Sequence, residues 1–138
     1  MPAVFEHPHV VRADEIDGLG HANNIAYVAW MQSAALAHSA AQGWPTEAYK
    51  ELGAGWVVRR HEIDYLRPAL AGERLVIRTW VASAHKVSSL RRFEIRRLDD
   101  DQILAKAATQ WAFIDYTKGT PRRVPPEVAA AFDIVPDG

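Results

Sequence analysis

A carboxylate, two glycines, a histidine and a pair of asparagines fall together in Asp17-Gly-Leu-Gly20-His21-Ala-Asn23-Asn24. Asp17 can serve as a general base for water or as a nucleophile; the ordinary alternative is a loop acid that caps a turn. Gly20 has no Cβ, so the backbone there can approach a ligand closely. His21 can polarise a carbonyl or hold the loop. Asn23 and Asn24 can cap a following helix or touch a substrate. The N-terminus of that helix offers N–H groups without intrahelical partners, a ready oxyanion site. Together these parts suit hydrolysis at a carbonyl.

Other candidates are more diffuse. Lys86-Val87-Ser88-Ser89-Leu-Arg91-Arg92 offers cations for phosphates, with hydroxyls and strand backbone for amides. The bland alternative is an exposed strand kept soluble by its charge. Arg122 and Arg123 form a weaker phosphate patch. His7-Pro-His9 has strand-like spacing for two metal ligands, but no carboxylate of fitting spacing accompanies it, so no metal is expected. His61 is expected to face the same side as Arg59 and Ile63, lining a pocket or held within a sheet. Tyr27 and Trp30 read as core or interface residues before pocket walls. His38 and His85 carry no motif. There is no Gly-x-Ser-x-Gly elbow and no P-loop, and Gly18-x-Gly20 lacks the third glycine of a dinucleotide fingerprint.

The elements that must position these residues can be read from pattern. Residues 5–13 suit a short strand and 14–24 a loop. The long helical signal covers 25–41, capped by Asn23 or Asn24 and ended by Gly43 and Pro45. Its few polar residues are Gln32, Ser33, His38 and Ser39, so it is expected to be buried around most of its circumference. Residues 46–52 suit a short helix. Strands are expected over 56–66, 74–82, 87–98 and 103–115. Leu75, Ile77, Thr79 and Val81 share one face, and the small Ala105 and Ala107 would let a helix sit close. Pro125-Pro126 begins a last short helix. One apolar helix against one antiparallel sheet makes an α+β layer fold, expected as a single domain over 1–138.

The residues resemble the hotdog-fold acyl-CoA thioesterases of the 4-hydroxybenzoyl-CoA thioesterase type. The resemblance rests on Asp17 through Trp30, on Asp64-Tyr65-Leu-Arg-Pro68 with Gly72-Glu-Arg-Leu75, and on Trp111-Ala-Phe-Ile-Asp115 with Pro121-Arg-Arg-Val-Pro125. It spans about residues 11–128. Where the family often has Asp-x-Asp before the glycine, this chain has Glu15 in the first place, with Asp14 beside it. Replacement of Glu15 is expected to cost far less than that of Asp17. The resemblance implies a central helix wrapped by about five antiparallel strands, and dimers or tetramers with the site at the interface.

It implies hydrolysis of acyl-CoA to free acid and CoA, with Asp17, Gly20 and His21 catalytic and the backbone near Gly20-His21 holding the oxyanion. Asn23, Asn24, Tyr27 and His61 would meet substrate. Trp56-Val57-Val58-Arg59 would run beside the pantetheine arm, and Lys86, Val87, Ser88, Ser89 and Arg91 would meet the CoA tail. No cofactor is expected, since CoA is part of the substrate. A non-catalytic acyl-thioester-binding protein is one rival; Asp17 counts against it. A hydratase or dehydratase is another, which would need an acid on the helix, and 25–41 has none.

Charge and composition bound the rest. Sixteen Lys and Arg against 17 Asp and Glu give a net charge of −1, which argues against nucleic acid or an anionic membrane as the main partner. The absence of cysteine excludes disulfides, a thiol nucleophile and thiolate zinc sites. No apolar stretch approaches the ~20 residues of a membrane span, and the N-terminus has no signal-peptide pattern. A cytoplasmic protein is expected.

Overall fold

The computed structural model describes residues 3–137. Strand β1 (Phe5–Val10) leads through a 3-10 turn (Ala13–Glu15) into helix α1 (Asn24–Ala41) and the short α2 (Thr46–Leu52). Strands β2 (Ala54–Tyr65), β3 (Arg74–Ala84), β4 (Ser88–Arg97) and β5 (Gln102–Asp115) follow, then α3 (Pro126–Ala129). One sheet of order β1-β3-β4-β5-β2 results, with every neighbour antiparallel. This is the expected α+β arrangement. β1 and β2 form its two edges. Pro8 sits in an edge strand, where its missing N–H need not cost a ladder bond.

The strand expected over 5–13 stops at Val10, because Arg12 N–H donates to the Glu15 carboxylate and turns the chain. Helix α1 begins within one residue of expectation, and Asn23 is its cap: its Oδ1 accepts the Ala26 N–H at 2.7 Å. One face of α1 is closed against the sheet. Met31, Ala34, Leu75, Ile77, Ile95, Leu104 and Ala105 are fully buried there. Small residues on both layers, Ala34 and Ala105 among them, permit this approach. The helix is not buried all round, however: Ile25 and Leu36 are exposed on its outer face. The apolar composition of α1 therefore exceeds what one sheet can cover.

A bulge decides which side chains of β2 face inward. Val58 opposes Trp111 and Arg60 opposes Gln110, leaving Arg59 as the extra residue. Cross-strand partners share a face, so Trp56, Val58, His61 and Ile63 lie on the helix side with Phe113, Trp111, Thr109 and Ala107. Arg59 is exposed. The expectation that Arg59, His61 and Ile63 share a side is thus corrected, since the bulge breaks simple alternation at Arg59.

Candidate active site

The loop before α1 is folded around Asp17. Its Oδ1 accepts the N–H of Leu19 at 2.8 Å and of His21 at 3.2 Å. Its own N–H donates to the His21 carbonyl at 2.7 Å, and Gly20 N–H donates to the Asp17 carbonyl at 3.1 Å. Gly20 sits at φ +82°, the left-handed region where glycine is favoured, and this closes the turn. No hydrogen bond from a described residue falls on Asp17 Oδ2. One carboxylate oxygen is thus clamped and the other is left for chemistry.

This arrangement corrects the expectation for the oxyanion. The N–H groups of Gly20 and His21 are already engaged by Asp17, so they do not offer free donors. The N–H groups of Asn24 and Ile25, in the first turn of α1, take no partner among the described residues. They carry the positive end of the helix dipole. Asn23 is engaged as the cap, leaving the Asn24 side chain toward the cleft.

The cleft holds about 270 Å³ and brings together Asp17, His21, Asn24 and Tyr27 with Tyr65 and the Leu66-Arg67-Pro68 turn. Tyr27 is buried, set edge-on to Tyr65 with centroids 5.0 Å apart. Burial pushes its hydroxyl pKa up, so it remains protonated.

Glu15, outside the cleft, supports this loop from beneath. Glu15 is 6% exposed. Its Oε1 lies 2.8 Å from His9 Nε2 and accepts the Arg12 N–H at 2.9 Å, and its Oε2 accepts the Trp30 indole N–H at 2.8 Å. Burial opposes the charge, but the bonds from Arg12, His9 and Trp30 prevail and hold the carboxyl below its usual range. The Glu15 carbonyl also accepts the Asn23 N–H at 2.8 Å, so one residue ties β1, the loop and α1. The signal available in the sequence was its place where the resemblance expects an acid.

The other expected site residues lie elsewhere. Trp56 and Ser89 line a second cavity, of about 210 Å³, against the far half of α1 at Ala35, Leu36 and Ser39. Twelve residues separate Asn24 from Leu36 on the helix, about 18 Å at 1.5 Å per residue. Val57 and Val58 are half-buried along β2. His61 Nδ1 lies 2.8 Å from Thr109 Oγ1, a histidine held within the sheet. Lys86 and Val87 are exposed at the β3–β4 turn, and Ser88 opens β4. Within one chain the fold does not bring these residues to Asp17.

Arg91 requires a correction. It was expected beside Lys86, reaching a remote phosphate, yet it is 7% exposed on the helix side of β4. Its Nη1 donates to His38 Nδ1 at 2.9 Å and to Thr79 Oγ1 at 3.1 Å. Strand alternation places it on the buried face with Phe93 and Ile95. Arg91 donates to Nδ1, so the proton of the neutral His38 ring lies on Nε2.

Burial first, and then the Arg91 charge, push the His38 pKa down from 6.5 to about 4. Unfolded His38 therefore binds a proton in a window where the folded form does not. Its contribution is fully present above about pH 6.5 and is lost as pH falls toward 4. Urea unfolding is expected to show a loss of about 2 kcal/mol between pH 7 and pH 5. His38→Gln should remove that slope; an unchanged slope in the variant would refute the assignment to His38.

Comparison with known proteins now gives the family. The model of the thioesterase-like superfamily matches residues 11–132. The chain belongs to this superfamily. A 1,4-dihydroxy-2-naphthoyl-CoA thioesterase from Synechocystis is 19% identical, covering 93% of this chain and 94% of its own, with a TM-score of 0.86. A protein proposed to be an oleoyl thioesterase, from Lactobacillus plantarum, is 26% identical over 97% of this chain, with a TM-score of 0.89; this chain spans 53% of it. A Staphylococcus aureus protein solved in complex with CoA is 12% identical, covering 93% of this chain and 80% of its own, with a TM-score of 0.87. Among curated protein sequences none matches. The superfamily thioesterase has the α+β hotdog fold, one helix packed against a five-stranded antiparallel sheet. No helix among the described residues is long and apolar enough to cross a membrane.

Proposed function

We propose that this thioester hydrolase cleaves acyl-CoA to the free acid and CoA, with Asp17 as its general base or nucleophile. The observation that carries the reading is the clamped Asp17 carboxylate, one oxygen unengaged, in a cleft at the start of α1. As base, Asp17 takes a proton from water as the water adds to the thioester carbonyl. The C–S bond then breaks, and the thiolate leaves and is protonated. As nucleophile, Asp17 displaces the thiolate itself, and water hydrolyses the resulting anhydride. In either case the N–H groups of Asn24 and Ile25 are the free donors for the oxyanion. The relatives whose names include a CoA ester, and the one solved with CoA, support CoA as the carrier. The test is a panel of acyl-CoA esters with detection of the free thiol. Release above the uncatalysed rate supports the reading, and inertness across the panel overturns it.

Assembly belongs to the same proposal. β2 is an edge strand, with its outer backbone unpaired in one chain. Pairing β2 antiparallel with its copy would set the Trp56 end of one chain beside the Tyr65 end of the other, completing each Asp17 cleft with a second protomer. The exposed Ile25 and Leu36 give a further apolar surface for a tetramer. Sedimentation is expected to show a homodimer or homotetramer. A fully active monomer at assay concentration would contradict it. The 1–138 sequence is proposed as one such thioesterase domain, which acts without a cofactor in the cytoplasm.

A further inference from the structure

The second cavity is built unlike an ordinary gap in a core. Its wall is mostly apolar and aromatic, from Trp56, Trp111, Tyr116, Val128 and Phe132, yet Arg91 forms part of it. Arg91 pairs with no carboxylate among the described residues; its polar partners are the neutral His38 and the Thr79 hydroxyl, both on Nη1. Its Nε and Nη2 donate to no partner among the described residues. The Phe132 ring lies 5.8 Å from the guanidinium carbon, a cation–π contact that holds the group in place without neutralising it.

A buried cation without a carboxylate partner is costly, because desolvation opposes the charge and the nearby Tyr49 offsets it only in part. Burial accordingly lowers the Arg91 pKa to about 10, which still leaves it charged at neutral pH. The two open donors, Nε and Nη2, lie on one edge of a planar fork. That edge matches a carboxylate in bidentate fashion. The remaining space suits an apolar body: about 210 Å³ corresponds to roughly seven waters at about 30 Å³ each. A medium-chain aliphatic acid or a benzoic-type acid is of this size. The C-terminal segment covers the space, pinned where Gln42 Nε2 donates to the Ala131 carbonyl at 2.7 Å and where Arg92 pairs with Asp137 at 2.7 Å.

We propose that this cavity is a binding site for an apolar carboxylic acid, whose carboxylate pairs with Arg91 and whose body lies among Trp56, Trp111 and Phe132. The site is separate from Asp17 within the chain, and binding there needs no turnover. The test is calorimetric and fluorescence titration of the full chain with octanoate and with its neutral isostere octanamide; Trp56 and Trp111 in the wall report occupancy. Octanoate is expected to bind at least tenfold more tightly than octanamide to the unmodified protein. Arg91→Met, similar in length but uncharged, should abolish that preference while still admitting octanamide, and Arg91→Lys should retain part of it. Equal affinities for the two ligands in the unmodified protein, or no binding of octanoate, would overturn the proposal even if Arg91→Met failed to fold. An undiminished preference in a folded Arg91→Met would also overturn it.

Discussion

Asp17→Asn is expected to lower kcat for acyl-CoA hydrolysis by ~10²–10⁴-fold, the usual scale for a positioned acid–base or nucleophilic group. The substitution is nearly isosteric. Asparagine keeps an Oδ1 that can accept the N–H groups of Leu19 and His21, so the turn before α1 survives. The second carboxylate oxygen is replaced by an amide nitrogen, which can neither take a proton from water nor attack a carbonyl. Stability should change by no more than about 0.5 kcal/mol, as for other substitutions at exposed sites. KM should change little, because the cleft wall is unaltered. The measurement is thiol release with unfolding of the same preparations. Near-equal turnover by the variant would refute the mechanism. A single turnover in heavy-oxygen water, combined with hydroxylamine trapping, separates its two forms: label in Asp17 or a trapped Asp17 acyl adduct marks the anhydride route, and label in the product acid with no trapped adduct marks the general base.

Glu15→Gln is expected to act through stability instead, with a loss of about 3 kcal/mol, the scale for removing one partner from a buried charged network. The Glu15 carboxylate faces donors on both oxygens: the Arg12 N–H on Oε1 and the Trp30 indole N–H on Oε2. An amide must turn its NH₂ toward one of these donors, leaving a buried group unsatisfied. For a chain of this size that loss lowers Tm by roughly 10 °C. The pH dependence has a definite sign. Folded Glu15 has a lowered pKa, so its contribution is present above the ordinary value of 4.5 and disappears as pH falls through the folded value. That window lies below the His38 window, so the two can be separated along one titration. Thermal unfolding of the two proteins at pH 7 and at pH 3 should show a difference that shrinks in acid. An equal Tm at pH 7 would show that the network contributes nothing. Turnover should fall less than for Asp17→Asn, because Glu15 holds the loop and does not reach the cleft.

Much of this molecule is local, and local features are legible in sequence. The apolar run from Ile25 to Ala41, an asparagine before it and a glycine after it define α1, because helix bonds, caps and breakers act within a few residues. The alternation of Leu75, Ile77 and Thr79 places β3 with one buried face, since side chains on a strand point to opposite sides in turn. The Asp17-to-Asn24 motif marks the candidate site for the same reason: its turn, its carboxylate clamp and its cap on the Ala26 N–H all close within ten residues.

What tertiary structure alone decided involves partners distant in the chain. The bulge at Arg59 arises from the register of β2 against β5, about fifty residues away in sequence, and it reverses which side chains reach the helix. Arg91 reads as a surface cation next to Arg92, yet strand alternation and the docking of α1 put it against His38, fifty-three residues earlier. Glu15 reads as a loop acid until β1 and Trp30 close over it. In each case charge and residue type were visible, but burial was not. Burial depends on which surfaces the whole chain brings together, and no window of local sequence contains that information.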